Sequence, residues 1–207
     1  TADSVILMKS AMPISTYTHT HLGYFFHIDA RDRRKVRISG PNDPQDMTNG
    51  ATLDSSTFRF GGLQPQGDYA VAMSSFQRFF VIGGKKNIYL YSGVDPLNSA
   101  TFTPVGLFPQ GVAAEDALIS IGNDAAFLTA DGVQTVSLAA DASTLNRANI
   151  SEAIKTTIRE ELQTAAENDV KAFHYPRRSW LMIKLGSRLY NFNYTTYLGR
   201  QLGTSPQ

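Results

Sequence analysis

The sequence predicts a mainly β chain: propeller-like or stacked antiparallel β-meanders with one inserted α-helix. Three observations carry this. A strand–turn–strand unit, clearest at Arg78–Gly93 (RFFVIGGKKNIYLYSG), recurs in kind at Ala117–Leu138 and Val170–Tyr194. The spacing, roughly forty residues, is typical of β-propeller repeats. The chain is rich in strand-favouring aromatics, with 12 Phe and 9 Tyr among 207 residues,. Only one segment, Asn149–Asn168, switches to helical periodicity.

Taken in order, Ser4–Lys9 reads as a short strand and Leu22–Ile28 (LGYFFHI) as a strong one, with Lys35–Ile38 as its partner,. Residues 39–67 are rich in Gly, Pro, Asn and Asp and read as a long loop, in which only Thr57–Phe60 has strand character,. Tyr69–Met73, Arg78–Ile82 and Asn87–Tyr91 form the first clear meander. In its last strand Ile88 and Leu90 share one face while Tyr89 and Tyr91 share the other, so both faces are expected to pack,. Thr101–Leu107 is a further strand. Ala117–Ile121, Ala125–Thr129 and Val133–Leu138 form the second meander, with Asp131-Gly132 as a tight turn,.

In the helical segment Ile150, Ile154, Ile158 and Leu162 make an apolar stripe, which marks it for docking on its own sheet or on a neighbouring subunit,. Asn149 reads as its N-cap, with Glu152 at capping-box spacing. Val170–Tyr175, Trp180–Leu185 and Arg188–Tyr194 form the third meander. About a dozen strands at four per blade amount to roughly three blades of a single domain spanning residues 1–207.

Composition narrows the function classes. The chain has no cysteine, which excludes disulfides, thiolate nucleophiles and Cys-bound metals,. The net charge of +1 gives no global attraction to polyanions,. No apolar run is long enough to span a bilayer as a helix. The start, TADSVILMKSAMP, has neither the form of a signal peptide nor an initiating Met, and reads as a processed product or a piece of a longer chain,.

Several groups are candidates for chemistry. His19 and His21, in THTH, would face the same side if that stretch were a strand, and His27 or Asp29 could complete a metal set,. Asp29, Asp32, Asp43 and Asp46 could supply a carboxylate pair for glycoside hydrolysis. The densest positive charge is RDRRKVR, whose Arg31, Arg33, Arg34, Lys35 and Arg37 are the candidate contacts to nucleic acid or another subunit,. Gly83-Gly84-Lys85-Lys86 lacks the first glycine and the hydroxyl residue of a phosphate loop and reads as a hairpin turn,. Asn149 and Asn193 match the glycosylation sequon inside predicted secondary structure. No catalytic, cofactor or metal residues are assigned, and the chain reads as a non-enzyme.

The order of motifs resembles the packaged-DNA stabilisation or tail nozzle (tail tubular) proteins of short-tailed bacteriophages. The pieces are GYFFHID, RISGPNDPQDM, FFVIGGKKNIYLYSG, FTPVGLFPQGVAA, IGNDAAFLTADGVQTV, ANISEAI and AFHYPRRSWLMIKLGSRLYNFNY, which together span Gly23–Tyr194. A tryptophan expected after Pro44 is absent, and Tyr197 stands where a closing tryptophan is expected. The resemblance implies a propeller-like structural virion protein without catalytic residues or cofactor. It implies a six-fold homo-oligomeric ring below the portal and adaptor, contacts to tail fibre or spike, and a channel through which DNA passes non-specifically. It places the protein in the phage tail, after assembly in the host cytoplasm. The alternative is a carbohydrate-binding or carbohydrate-cleaving receptor-binding β-domain, suggested by the aromatics and by Asp29 and Asp43.

Overall fold

The computed structural model describes residues 14–44, 46–47, 52–54, 67–136 and 150–194. The protein is mainly β, built from four antiparallel sheets and, among the described residues, one α-helix. Each sheet is a simple meander. Sheet 1 contains β1 (Ser15–His21), β2 (Tyr24–Asp29), β3 (Lys35–Ile38) and β4 (Thr52–Asp54). Sheet 2 contains β5 (Ala70–Phe76), β6 (Phe79–Gly84), β7 (Ile88–Ser92) and β8 (Thr103–Phe108). Sheet 3 contains β9 (Leu118–Ser120), β10 (Ala125–Thr129) and β11 (Gly132–Thr135). Sheet 4 contains β12 (Val170–Tyr175), β13 (Trp180–Leu185) and β14 (Arg188–Asn193).

The sheets stack in chain order, and their first strands make the successive contacts: β1 with β5, β5 with β9, and β9 with β12. A parallel bridge between Asp116 and Lys171 joins the approach to β9 to β12. Among the described residues the sheets do not close into a propeller or barrel. There are four meanders rather than three, because the polar segment STYTHTH forms a full strand and gives the first sheet its own layer. Its link to β2 is a two-residue turn with Leu22 at φ 52° and Gly23 at φ 80°, the positive-φ pair that matches the twist of a hairpin,.

Two apolar clusters hold the stack together. Phe26, Ile28, Val36 and Ile38 of sheet 1 pack on Met73, Phe80, Ile82, Tyr89 and Tyr91 of sheet 2, with Phe102. The other face of sheet 2, including Ala72, Val81 and Ile88, packs on sheet 3, with Leu181, Ile183 and Leu185 of sheet 4 in the same cluster. Sheet 2 is therefore buried on both sides, as the alternation in β7 predicts.

Several boundaries differ from expectation. The long excursion at 39–67 contains β4, which pairs with β3 through Lys35–Asp54, Val36–Leu53 and Arg37–Thr52. Thr57–Phe60 and Ser4–Lys9 lie outside the described residues. The turn between β10 and β11 is Ala130-Asp131, with Gly132 (φ 117°) opening β11, one residue earlier than the predicted Asp131-Gly132.

The helix is shorter than predicted. A 3-10 turn at Glu152–Ile154 leads into α1 (Lys155–Thr164), and Ala165 leaves it with extended backbone at ψ 137°. Its N-terminal flank is Ile154, with no side-chain cap, and Asn149 lies outside the described residues. The late start has a local cause. Ile150 N donates to Val133 O at 2.7 Å, and Val133 N donates to the buried Ser151 Oγ at 2.9 Å. The Ile150-Ser151 pair is thus held against β11 and is not free to join the helix.

Candidate functional site

The basic segment forms the turn between β2 and β3 and the strand β3 itself, and most of its charge is already matched. Arg37 Nε donates to Asp29 Oδ2 at 2.9 Å, and Asp29 also accepts from Arg31 N at 2.9 Å. Asp29 is buried; burial pushes its carboxyl up, but the Arg31 amide and Arg37 outweigh this and hold it below its usual value. Asp32 pairs with Arg34 and Lys35, and its hydrogen bond from Arg34 brings it down to about 2. Arg33 reaches across to Glu115 before sheet 3, at 2.7 Å. Arg33, Arg34, Lys35 and Arg37 thus stand in ion pairs with the chain's own carboxylates, not as an open cationic surface. Arg31 is exposed.

The histidines divide between two faces of sheet 1. His19 and His21 do share a face. It is turned into the interface with sheet 2, where their rings lie 6.2 Å and 5.4 Å from Phe80. His19 Nε2 bonds Ser75 Oγ at 3.0 Å. His27 lies on the opposite face, with Nδ1 on Ser15 Oγ at 3.2 Å and Thr18 Oγ1 at 3.1 Å. The three rings therefore do not converge, and among the described residues no group of His, Asp and Glu could hold a metal. Burial lowers the pKa of all three; for His21 burial and the neighbouring His19 bring it to about 4.

The turn after β6 does cradle an anion, and the anion belongs to the protein. Asp68 is buried and accepts from Lys86 N (2.9 Å), Asn87 N (3.1 Å), Asn87 Nδ2 (2.9 Å) and Tyr89 OH (2.7 Å). Burial and then this carboxylate raise the Tyr89 pKa. A Cβ at Gly84 would stand 2.6 Å from Asp68 Oδ2, so the glycine allows the turn to close on the carboxylate. Nothing in the local sequence marks Asp68 for this role, because its partners lie about twenty residues later.

Next to this turn is a cleft of about 600 Å3, between the segment 109–113, the β10–β11 turn and α1. Lys85, Gln110, Asp131, Arg159, Leu162 and Glu167 are among its lining residues. Arg159 is bound to Asp131, and Gln110 Oε1 is buried without a hydrogen-bond partner. Cations and carboxylates occur here in balance, so the cleft suits a polar, uncharged group.

The helix stripe is largely committed to the chain's own core. Ile158 is fully buried in the cluster that joins sheets 2, 3 and 4, and Ile150, Ile154 and Leu162 pack against it. Of the four, Leu162 also lines the cleft. Asn193 ends β14, and Asp43 forms an isolated bridge with Gly40. No protein-family profile matches the chain, and no curated protein matches it at a significant level.

Proposed function

We propose that this chain is a structural subunit of a short-tailed bacteriophage tail, in the nozzle or hub that extends the DNA channel below the portal and helps retain and deliver the genome. The observation that supports this reading best is the stack itself: consecutive meanders, each following the last in chain order, with contacts between their first strands. The motif order from GYFFHID to the aromatic hairpin of sheet 4 runs through the same layers. In this reading the subunit forms a homo-oligomeric ring, meets portal or adaptor and fibre or spike proteins, and resides in the virion. Its role is carried by surfaces and not by a reacting group. Asp29, on which the carbohydrate alternative leans, is engaged with Arg31 N and Arg37.

Light scattering after size exclusion, with portal and adaptor proteins added, tests the proposal. Co-elution as a ring-sized complex is the expected result, and monomers throughout would overturn it. Placement of the chain in a particle reconstruction would read its position directly.

A further inference from the structure

Sheet 4 differs in charge from the rest of the chain. Val170–Tyr194 contains Lys171, Arg177, Arg178, Lys184 and Arg188 and no Asp or Glu, in a protein whose net charge is only +1. The register sorts these residues. Tyr175 pairs with Trp180, Phe173 with Met182, and Lys171 with Lys184, so these six share one face,. The neighbouring positions Leu181, Ile183 and Leu185 face the core. Arg188 is on the core-facing side and binds Glu161 of α1.

The outer face is a ladder of three rows about 7 Å apart. It runs from the lysine row, through Phe173 and Met182, to Tyr175 and Trp180, and ends in the turn that carries Arg177 and Arg178. Phe173 and Tyr175 are 44% and 39% exposed, far above the residues of the core. Arg178 lies over the Trp180 ring at 5.0 Å, and the Tyr175 and Trp180 rings are 6.2 Å apart. Among the described residues neither Arg177 nor Arg178 has an acidic partner, while the Lys171–Asp116 (3.4 Å) and Lys184–Asp169 (3.3 Å) pairs are solvent-exposed and weak,.

The choice of occupant follows from charge and shape. A second copy placed face to face would set these cations against their equivalents. A second copy offering the outer face of sheet 1 would bring Thr18 and the half-exposed Lys35 and Arg37, already paired with Asp32 and Asp29, against these rings and cations and would supply no free anion for Arg177 and Arg178. An unpaired polynucleotide offers what the face lacks: flat apolar bases for the rings and phosphates for the cations. A duplex keeps its bases stacked inside and cannot use the rings in this way.

We propose that the outer face of sheet 4 binds single-stranded nucleic acid without sequence preference, with bases stacked on Phe173, Tyr175 and Trp180 and phosphates held by Arg177, Arg178 and the two lysines. The site is independent of the tail reading, and ring formation can succeed or fail without it. Trp180 is the chain's one tryptophan, so its emission reports on the site directly. Titration of the whole chain with oligo-dT should quench it saturably, with affinity falling as salt rises. Arg177→Glu/Arg178→Glu and Phe173→Ala/Tyr175→Ala should each weaken binding about tenfold or more. Arg31→Glu/Arg34→Glu should leave it within about twofold, and unchanged melting of each variant would show that it folds. Absence of quenching overturns the proposal. So does equal binding of duplex DNA or polyglutamate, or binding of anionic lipid vesicles in place of oligo-dT. A concentration-dependent dimer that is lost in Phe173→Ala/Tyr175→Ala would show that the face belongs to a second copy and would overturn it too.

Discussion

Sheets 2 and 4 are both written in aromatic and branched residues, yet they hold opposite positions in the stack. In β7 every residue from Ile88 to Tyr91 meets protein: Ile88 and Leu90 face the cluster shared with sheets 3 and 4, and Tyr89 and Tyr91 face sheet 1. In β13 only Leu181, Ile183 and Leu185 are buried, and Trp180, Met182 and Lys184 lie on the open side. The difference teaches that an apolar face in this chain has two meanings. Inside the stack it is cohesion between layers. At the end of the stack, where lysines and arginines are mixed among the rings, it is a surface available to something else.

The comparison breaks first at Phe80. It is fully buried between sheets 1 and 2, with its ring 4.1 Å from that of Phe26. Phe80→Ala is expected to cost about 3–5 kcal/mol in urea unfolding, the range for a large cavity in a closed core. A loss below 1 kcal/mol would mean that sheets 1 and 2 are not packed as described. Asp68→Ala follows. It removes the acceptor for the backbone amides of Tyr69, Lys86 and Asn87, the Asn87 side-chain amide and the Tyr89 hydroxyl at the edge of the same interface, and should cost about 3 kcal/mol,. Asp68→Asn should recover part of this, because its one remaining oxygen still accepts.

The third test uses pH. His21 titrates near 6.5 when unfolded and near 4 when folded, because burial and His19 disfavour its charge,. The neutral ring is the form the fold accepts. Its contribution is complete above about pH 6.5 and is lost progressively as pH falls toward 4, by up to roughly 3 kcal/mol. His21→Phe should flatten that part of the stability–pH profile. An unchanged profile would remove His21 as its cause.

Much of this was legible in the sequence where the pattern was local. The hairpin at Phe79–Ser92 and the meander at Val170–Asn193 read directly, since their strands are apolar and their turns are short. β1 was not legible as a strand: its alternation is Thr against Tyr and His, and its inward side is formed by Tyr17, the half-buried His19 and the buried His21, only the first of which sequence marks as apolar. β4 is three residues long, and its pairing comes from β3, not from its own composition. The helix is shorter than its sequence suggests at both ends: Ile150 keeps the helical spacing of the stripe, but Ile150 and Ser151 are held by Val133, and at the other end Ala165 turns to extended backbone. At the candidate sites, the charge of Arg31–Arg37 was visible but its neutralisation was not: Asp29 and Asp32 lie beside it, but only the turn and register bring them onto Arg34, Lys35 and Arg37, and Arg33's partner Glu115 is far away in the chain. Asp68 and the common face of Phe173, Tyr175 and Trp180 needed the register.

Ile154→Asp sharpens the comparison at the boundary between cohesion and surface. Ile154 is half-buried against the main cluster, just before α1. A carboxylate there should cost about 2 kcal/mol, less than at a closed core position because water reaches its edge. Normal melting with failed assembly would assign the stripe to a neighbouring subunit instead.

The smallest effect is expected at Phe173, and it is the most decisive for the comparison. Phe173 and Phe80 are the same residue type, on the first strand of sheet 4 and the second strand of sheet 2, but Phe173 is 44% exposed and Phe80 is fully buried. Phe173→Ser should change stability by less than about 0.5 kcal/mol, because the ring has little protein to leave and its loss opens no cavity. A cost near that of Phe80→Ala in the isolated chain would mean that another part of the molecule covers sheet 4, and the surface would then be a layer interface like the others. A negligible cost, together with loss of oligonucleotide quenching, would separate the two meanings of an aromatic face on a single side chain.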